Sequence, residues 1–265
     1  LHRSATQEYF GEHETVKWEG LKLSDLQEFI AYLQNTVLPR FNDEEGDTEL
    51  LREIESLEST DFAKETLRDL VNSSTNQPED WEIGEALAEC LLADRYGIIW
   101  PWNMSRDSRN PLSSDQGADM VGMVEEGRNI RFLFGEVKIS QQNESPPTVT
   151  AGKNGIIKQL ERLASEMHLH KQLVRWLFHR CQHCPQLMDK YKRALADFGE
   201  TNRGNAYLFG VLLRDTTPSE MDLKNRAIAL SNNLTDRNKA RLDAWYLPDS
   251  LSNLNSHIVR NDSSD

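Results

Sequence analysis

Residues 117–138 read GADMVGMVEEGRNIRFLFGEVK, and the turn at their centre governs how the rest of the chain is arranged. Two segments, 118–125 and 130–139, flank Glu126-Gly127-Arg128-Asn129, a polar, glycine-containing signal that predicts a β-hairpin. Centring the hairpin between Gly127 and Arg128 places Asp119 directly opposite Glu136. Like charges facing each other across strands are destabilising. A divalent cation between them reverses that sign, because hard cations are held by one or two carboxylates together with water and phosphate oxygens. Lys138 lies two residues past Glu136 and shares its face. The same face continues with Val121 and Met123 on one strand and Phe134, Phe132 and Ile130 on the other. Leu133, Val137 and Ile139 line the opposite face. Apolar residues on both faces predict a sheet covered on both sides, with the charged end at its solvent-reachable rim.

Outward from the hairpin, helix and strand signals alternate. On the N-terminal side, a helical stripe of Ile83, Leu87, Cys90 and Leu91 predicts a helix over 81–96. A first strand is expected at 98–102, interrupted by Pro101, and a polar loop at 103–116. Further back, Ser24-Asp25-Leu26-Gln27 reads as a capping box opening a helix that Pro39 stops. Helices are expected at 48–57 and 61–71, a boundary loop at 72–80, and a loosely ordered segment at 1–15. On the C-terminal side, the loop 141–154 leads to one long helix at 156–180 and another at 184–198. The continuous apolar run at 206–214 reads as a buried strand, followed by a helix rich in Asn and Arg and a short strand at 244–247. The fold class is therefore α/β: a central mixed sheet flanked by helices, with an acidic helical N-terminal region. Three segments are expected: the acidic region 1–80, a core over 81–214, and a C-terminal extension 215–265 that packs on the core.

Charge is unevenly distributed. Residues 1–94 carry a net charge of −16 and residues 95–265 a net of +3, while 153–193 alone carry +6. Any phosphate-facing surface is thus expected on the helix after the hairpin. The acidic first part either shields a positive partner surface or forms a solvated helical face. No apolar run approaches the roughly 18 residues of a membrane span. Three cysteines give no disulfide framework and predict a cytoplasmic protein. The stretch from His179 to Cys184 holds one Cys-x-x-Cys with two histidines, which falls short of a structural zinc site without a second pair. Trp100, Trp102 and Trp176 read as core rather than as base-stacking platforms.

The order of elements, with Asp119 at the start of one strand and Glu136-Val137-Lys138 on the next, resembles the PD-(D/E)XK nuclease superfamily and its α-β-β-β-α-β core. The likeness covers about residues 81–214. Ala118 stands where that family often has proline. The resemblance implies a glutamate on the first core helix, matched by Glu85, and a glutamine on the helix after the third strand, matched by Gln159. It implies Mg²⁺ or Mn²⁺ held by Asp119, Glu136, the Val137 carbonyl and Glu85, with Lys138 orienting water or stabilising the transition state. Gln159, Lys153, Lys158 and Arg162 would then contact phosphate. The Gly-Glu helix, Gly-Ala-Asp strand and Gly-Glu-Val-Lys strand are together similar to the HamA-like nuclease subunit of the Hachiman anti-phage defence system. That family works with a helicase partner and cuts DNA. Two alternatives stay open at this point: a stand-alone restriction- or repair-type endonuclease, and a non-catalytic interaction module on a nuclease scaffold.

Overall fold

A computed structural model describes residues 4–57, 59–71, 79–101, 117–127, 129–202, 205–234 and 238–258. Arg128 of the turn, Trp102, the expected polar loop 103–116 and most of the expected boundary loop 72–80 lie outside the described residues.

The hairpin forms as the pattern requires. β3 (Met120–Glu126) and β4 (Asn129–Ser140) pair antiparallel from Glu126↔Asn129 to Met120↔Gly135, the register that leaves Asp119 facing Glu136. β4 next pairs in parallel with β5 (Tyr207–Arg214), and β5 with β6 (Lys239–Tyr246). β4 is thus an internal strand. The expected buried strand at 206–214 is present, and the expected short strand at 244–247 begins five residues earlier, at Lys239.

The N-terminus departs from expectation. Residues 1–15 were expected to be loosely ordered, yet β1 (Thr6–His13) and β2 (Val16–Lys22) form a second antiparallel hairpin. β2 pairs in parallel with β6, so the strand order is β1-β2-β6-β5-β4-β3. Four parallel strands occupy the centre and each edge is closed by an antiparallel hairpin partner. β1 has only one partly covered face, so its sequence carries little apolar signal. The expected strand at 98–102 is reduced, among the described residues, to a bridge between Ile99 and Met123. Gly122 makes room for it, since a Cβ there would lie 2.7 Å from the Ile99 carbonyl oxygen.

Helices cover both faces. One face packs α1 (Leu26–Tyr32), α2 (Leu38–Phe41), α5 (Asp80–Tyr96) and α10 (Leu254–Ile258) over Leu133, Val137, Val211 and Trp245. The other packs α6 (Ile156–Ser165), α7 (Met167–Cys181), α8 (Pro185–Glu200) and α9 (Lys224–Asn233) over Phe132, Phe134, Leu208 and Leu242. Phe132 and Phe134 are fully buried, each worth roughly 1.5–3 kcal/mol of apolar transfer. The helix expected at 156–180 is two helices, because extended backbone at Glu166 ends α6 and opens α7. Pro39 does not stop its helix. The chain widens into a π-turn over Leu33–Val37 and resumes as α2, which accommodates a residue with no N–H to donate. The N-cap of α1 is Asp25, whose carboxylate accepts the Glu28 N–H at 2.9 Å, one residue later than the expected capping box.

α3 (Glu44–Ser56) and α4 (Asp61–Val71) make a hairpin that packs mainly on itself. On α3 only Ile54 is buried, and none of the described α4 side chains is. Leu50, Leu57 and Phe62 are 51%, 46% and 79% exposed. No described helix is long and apolar enough to cross a membrane.

Candidate active site

Asp119 stands one residue before β3, where β4 runs on past its hairpin partner. Its N–H donates to the Gly135 carbonyl at 3.1 Å, and its carboxylate accepts the Val137 N–H at 2.8 Å. The side chain therefore extends the ladder past the end of β3 and is fixed against β4. A strand residue turns its N–H and C=O to the same edge, so Val137 presents its carbonyl beside Asp119. Glu136 is 6% exposed and lies within the field of the Asp119 carboxyl. Lys138, on the same face, makes an ion pair with Glu136 from a partly exposed position.

Glu85 reaches this rim from the helix that covers the opposite face. Gly84 allows the approach, because a Cβ there would sit 2.1 Å from Ile139 Cδ1. Removing that side chain brings α5 down onto β4 and sets Glu85 within the field of Asp119 and Glu136. Behind Glu85, one turn along, buried Glu89 is paired with Arg40 of α2. The Arg40 contact was not readable from sequence, since Pro39 marked that segment as a helix end.

The electrostatics are those of too many carboxylates in too little water. Burial, then the charge of Asp119, pushes Glu136 up to about 7. Burial, then Asp119, pushes Glu85 up to about 9, with Glu89 and Glu136 adding to it. Burial also raises Asp119, against the Val137 N–H and Lys138, which pull the other way. Among the described residues, a single lysine faces three carboxylates.

The remaining expected residues lie on and before α6. Gln159 is half-buried, and its Oε1 accepts from Arg162 at 3.0 Å. Arg162 is held mainly by Glu166 at 2.9 Å and also lies within the field of Glu136. Lys158 is exposed and paired with Glu161, and Lys153 is exposed on the loop before the helix. The fold thus gathers Asp119, Glu136, Val137, Lys138 and Glu85, brings Gln159 and Arg162 to the fringe, and leaves Lys153 and Lys158 on the outer surface.

Among the described residues, no group of three or more His, Cys, Asp or Glu side chains is gathered closely enough to hold a metal ion by itself. The donor set nevertheless fits a hard cation of the Mg²⁺ kind. Such ions keep several waters and take only one or two carboxylates, and Asp119, Glu136 and the Val137 carbonyl offer that many oxygens. The raised carboxyl groups record the charge that such an ion would neutralise. The family model described as HamA matches residues 13–204, most of the chain and every residue of this cluster. No curated protein and no solved structure matches the chain.

Proposed function

The chain belongs to the HamA family of Hachiman defence-related proteins, and on that premise we propose that it is the nuclease subunit of such a complex, a Mg²⁺- or Mn²⁺-dependent phosphodiesterase that cuts DNA beside a helicase partner. One observation carries the reading: two carboxylates, buried Glu136 and half-buried Asp119, face each other at the rim of the sheet, with Lys138 at their mouth. A structural role for that arrangement would call for matching cations, and among the described residues only Lys138 is paired with it. Asp119, Glu136 and the Val137 carbonyl would hold the ion, with Glu85 closing the side toward α5. When bound, the metal supplies an acidified water and neutralises charge on the scissile phosphate. Lys138 has a flexible stem and a compact charge, so it can leave Glu136 and donate to the phosphate oxygen on which charge accumulates. Arg162 braces Gln159, and the pair steadies the phosphate from α6. Lys153 and Lys158 add diffuse attraction.

Two features support a partner over a stand-alone enzyme. At a net charge of −13 the chain repels a polyanion overall, so DNA affinity of the lone protein is weak and strongly salt-dependent. The α3–α4 hairpin also presents Leu50, Leu57 and Phe62 to solvent on a segment, 43–71, of net charge −8. That combination suits a basic protein surface with apolar sockets, and under this reading the helicase provides it.

The test is plasmid cleavage with Mg²⁺ by the parent and by Lys138→Ala, each with and without the helicase partner. The reading expects Lys138-dependent cutting that the partner stimulates or restrains. Undiminished cutting by Lys138→Ala would remove the proposed site. Equal cutting by the parent with and without the partner would favour the stand-alone enzyme.

A further inference from the structure

Residues 167–188 contain no aspartate or glutamate, within a chain that carries 43 of them. α7 lies in this acid-free run. At 100° per residue, Met167, His168, Lys171, Arg175, Phe178 and His179 fall on one side of it, and all six are exposed. Among the described residues neither Lys171 nor Arg175 has a carboxylate partner, unlike Lys158 and Arg162 on α6. Met167 and Phe178 are 64% and 42% exposed. The Phe178 ring is nevertheless held, edge-on to His179 at 5.4 Å and tilted against Tyr191 at 5.9 Å.

The face is joined to the candidate site at its N-terminal end. Leu169, in the first turn of α7, packs against Gly117, where an added Cβ would lie 3.0 Å from its Cδ2. Gly117 takes φ +79 there and is two residues from Asp119. From the other side, Arg162, Glu166 and His168 form a chain of contacts at 2.9 and 3.6 Å that runs from the fringe of the site onto α7.

We infer that the exposed face of α7 is a track along which a single nucleic-acid strand runs to the Asp119–Glu136 site, its phosphates over Lys171 and Arg175 and a base on Phe178. The inference rests on the nuclease reading above and adds the form of substrate to it. Charge complementarity favours a polyanion, because this helix is the acid-free stretch of an acidic protein. Exposed rings beside cations favour a single strand, whose bases are free to stack, over a duplex, whose bases are not. α7 is 15 residues long, which spans about 22 Å, or about six nucleotides at the spacing of one strand.

The experiment measures binding apart from chemistry. The full chain carrying Lys138→Ala is titrated by fluorescence anisotropy, at about 50 mM and about 200 mM salt, with a labelled single-stranded DNA, its RNA counterpart and the matching duplex. Each titration is repeated with Lys171→Ala/Arg175→Ala and with Phe178→Ala added, and circular dichroism checks that the variants fold. The double variant is expected to weaken single-strand binding about tenfold or more and to flatten the salt slope by about 1.4. Phe178→Ala is expected to weaken it about fivefold or more. The DNA and RNA arms decide which strand the track prefers. Binding within twofold of the parent in both variants, tighter binding of the duplex, or no measurable binding by the parent at the lower salt would overturn the track. Cleavage is measured separately in the Lys138 background. Lys138-dependent cutting with binding untouched by the α7 variants refutes the track alone. Track-dependent binding with no cutting by any form of the protein refutes the nuclease reading and leaves the track standing.

Discussion

Two clusters of charge sit on neighbouring rows of the sheet, on opposite faces, and they are built to opposite rules. Glu19, Asp243, Val211 and Val137 are successive partners across β2, β6, β5 and β4. At one end of that row Glu19 takes two hydrogen bonds at 2.9 Å from Arg95 and a further one from Arg241. Asp243 accepts from Arg241 at 2.9 Å and from the Tyr96 hydroxyl at 2.7 Å, and Arg241 lies 4.6 Å over the Tyr96 ring. Two carboxylates meet two guanidiniums. Burial alone would raise Glu19, but the hydrogen bonds from Arg95, Tyr96 and Arg241 outweigh it and hold the group below the ordinary range. Asp243, fully buried, still reaches about 6. In the second cluster Glu85, Asp119 and Glu136 meet, among the described residues, Lys138 alone, and all three carboxyls are raised. α5 serves both clusters, with Glu85 near its start and Arg95 and Tyr96 at its end. A buried cluster whose charges balance is a fastening, whereas one whose charges do not balance is a demand for something else.

Four measurements test the contrast between the two clusters. The largest effect is expected from Lys138→Ala, which should slow Mg²⁺-dependent cleavage about 100- to 1,000-fold while leaving the thermal midpoint nearly unchanged. Arg241→Ala should do the reverse. It leaves Asp243 without a cation and Glu19 with Arg95 alone, and urea titration should show a loss of about 3–5 kcal/mol. If instead Lys138→Ala unfolds the chain and Arg241→Ala does not, the two clusters have been assigned the wrong way round. Third, Glu136→Gln should abolish cleavage yet stabilise the metal-free protein by about 1–2 kcal/mol at pH 8, because it removes a charge that the fold holds at a disadvantage. A destabilised Glu136→Gln would mean that the carboxylate is structural.

The smallest effect is a dependence on pH. Glu136 and Glu85 bind protons more tightly folded than unfolded, since their groups lie near 7 and 9 against an ordinary 4.5. Stability from these groups is therefore present at low pH, falls as pH rises from about 4.5 through 7 and 9, and levels off above. Relative to Glu85→Gln/Glu136→Gln, the parent's midpoint should drop by a few degrees between pH 5 and pH 9. Mg²⁺ should restore it at pH 9 and do little at pH 5. Equal Mg²⁺ stabilisation at both pH values would count against a carboxylate site.

The unbalanced cluster was more legible in the sequence than the balanced one, for a physical reason. A hairpin is local, so Gly127 and the alternation around it fixed the register that sets Asp119 opposite Glu136. Glu85 was readable only through the likeness to a nuclease family, and the close approach that Gly84 allows was not read at all. Arg241 and Asp243 instead interrupt the apolar pattern of β6, and Glu19, which pairs with Arg241, and Arg95, which pairs with Glu19, lie far away in sequence. Hence only the last residues of β6 looked like a strand, and β1 and β2 did not look like strands at all. The Lys171–Arg175 face of α7 was hidden differently. Periodicity joined α6 and α7 into one helix, and only the break at Glu166 gives α7 its own direction.

The place of β2 between β1 and β6 has a consequence for synthesis. The first hairpin leaves the ribosome with its inner edge unpaired, and the strand that covers that edge is made more than 200 residues later. Until then the nascent chain shows an open strand edge, the kind of surface that recruits chaperones or pairs with a neighbouring chain. The hairpin bearing Asp119 and Glu136 can close on its own long before that. The sheet behind it is finished only when β6 arrives, so the protein cannot complete its fold before nearly all of this sequence has been translated.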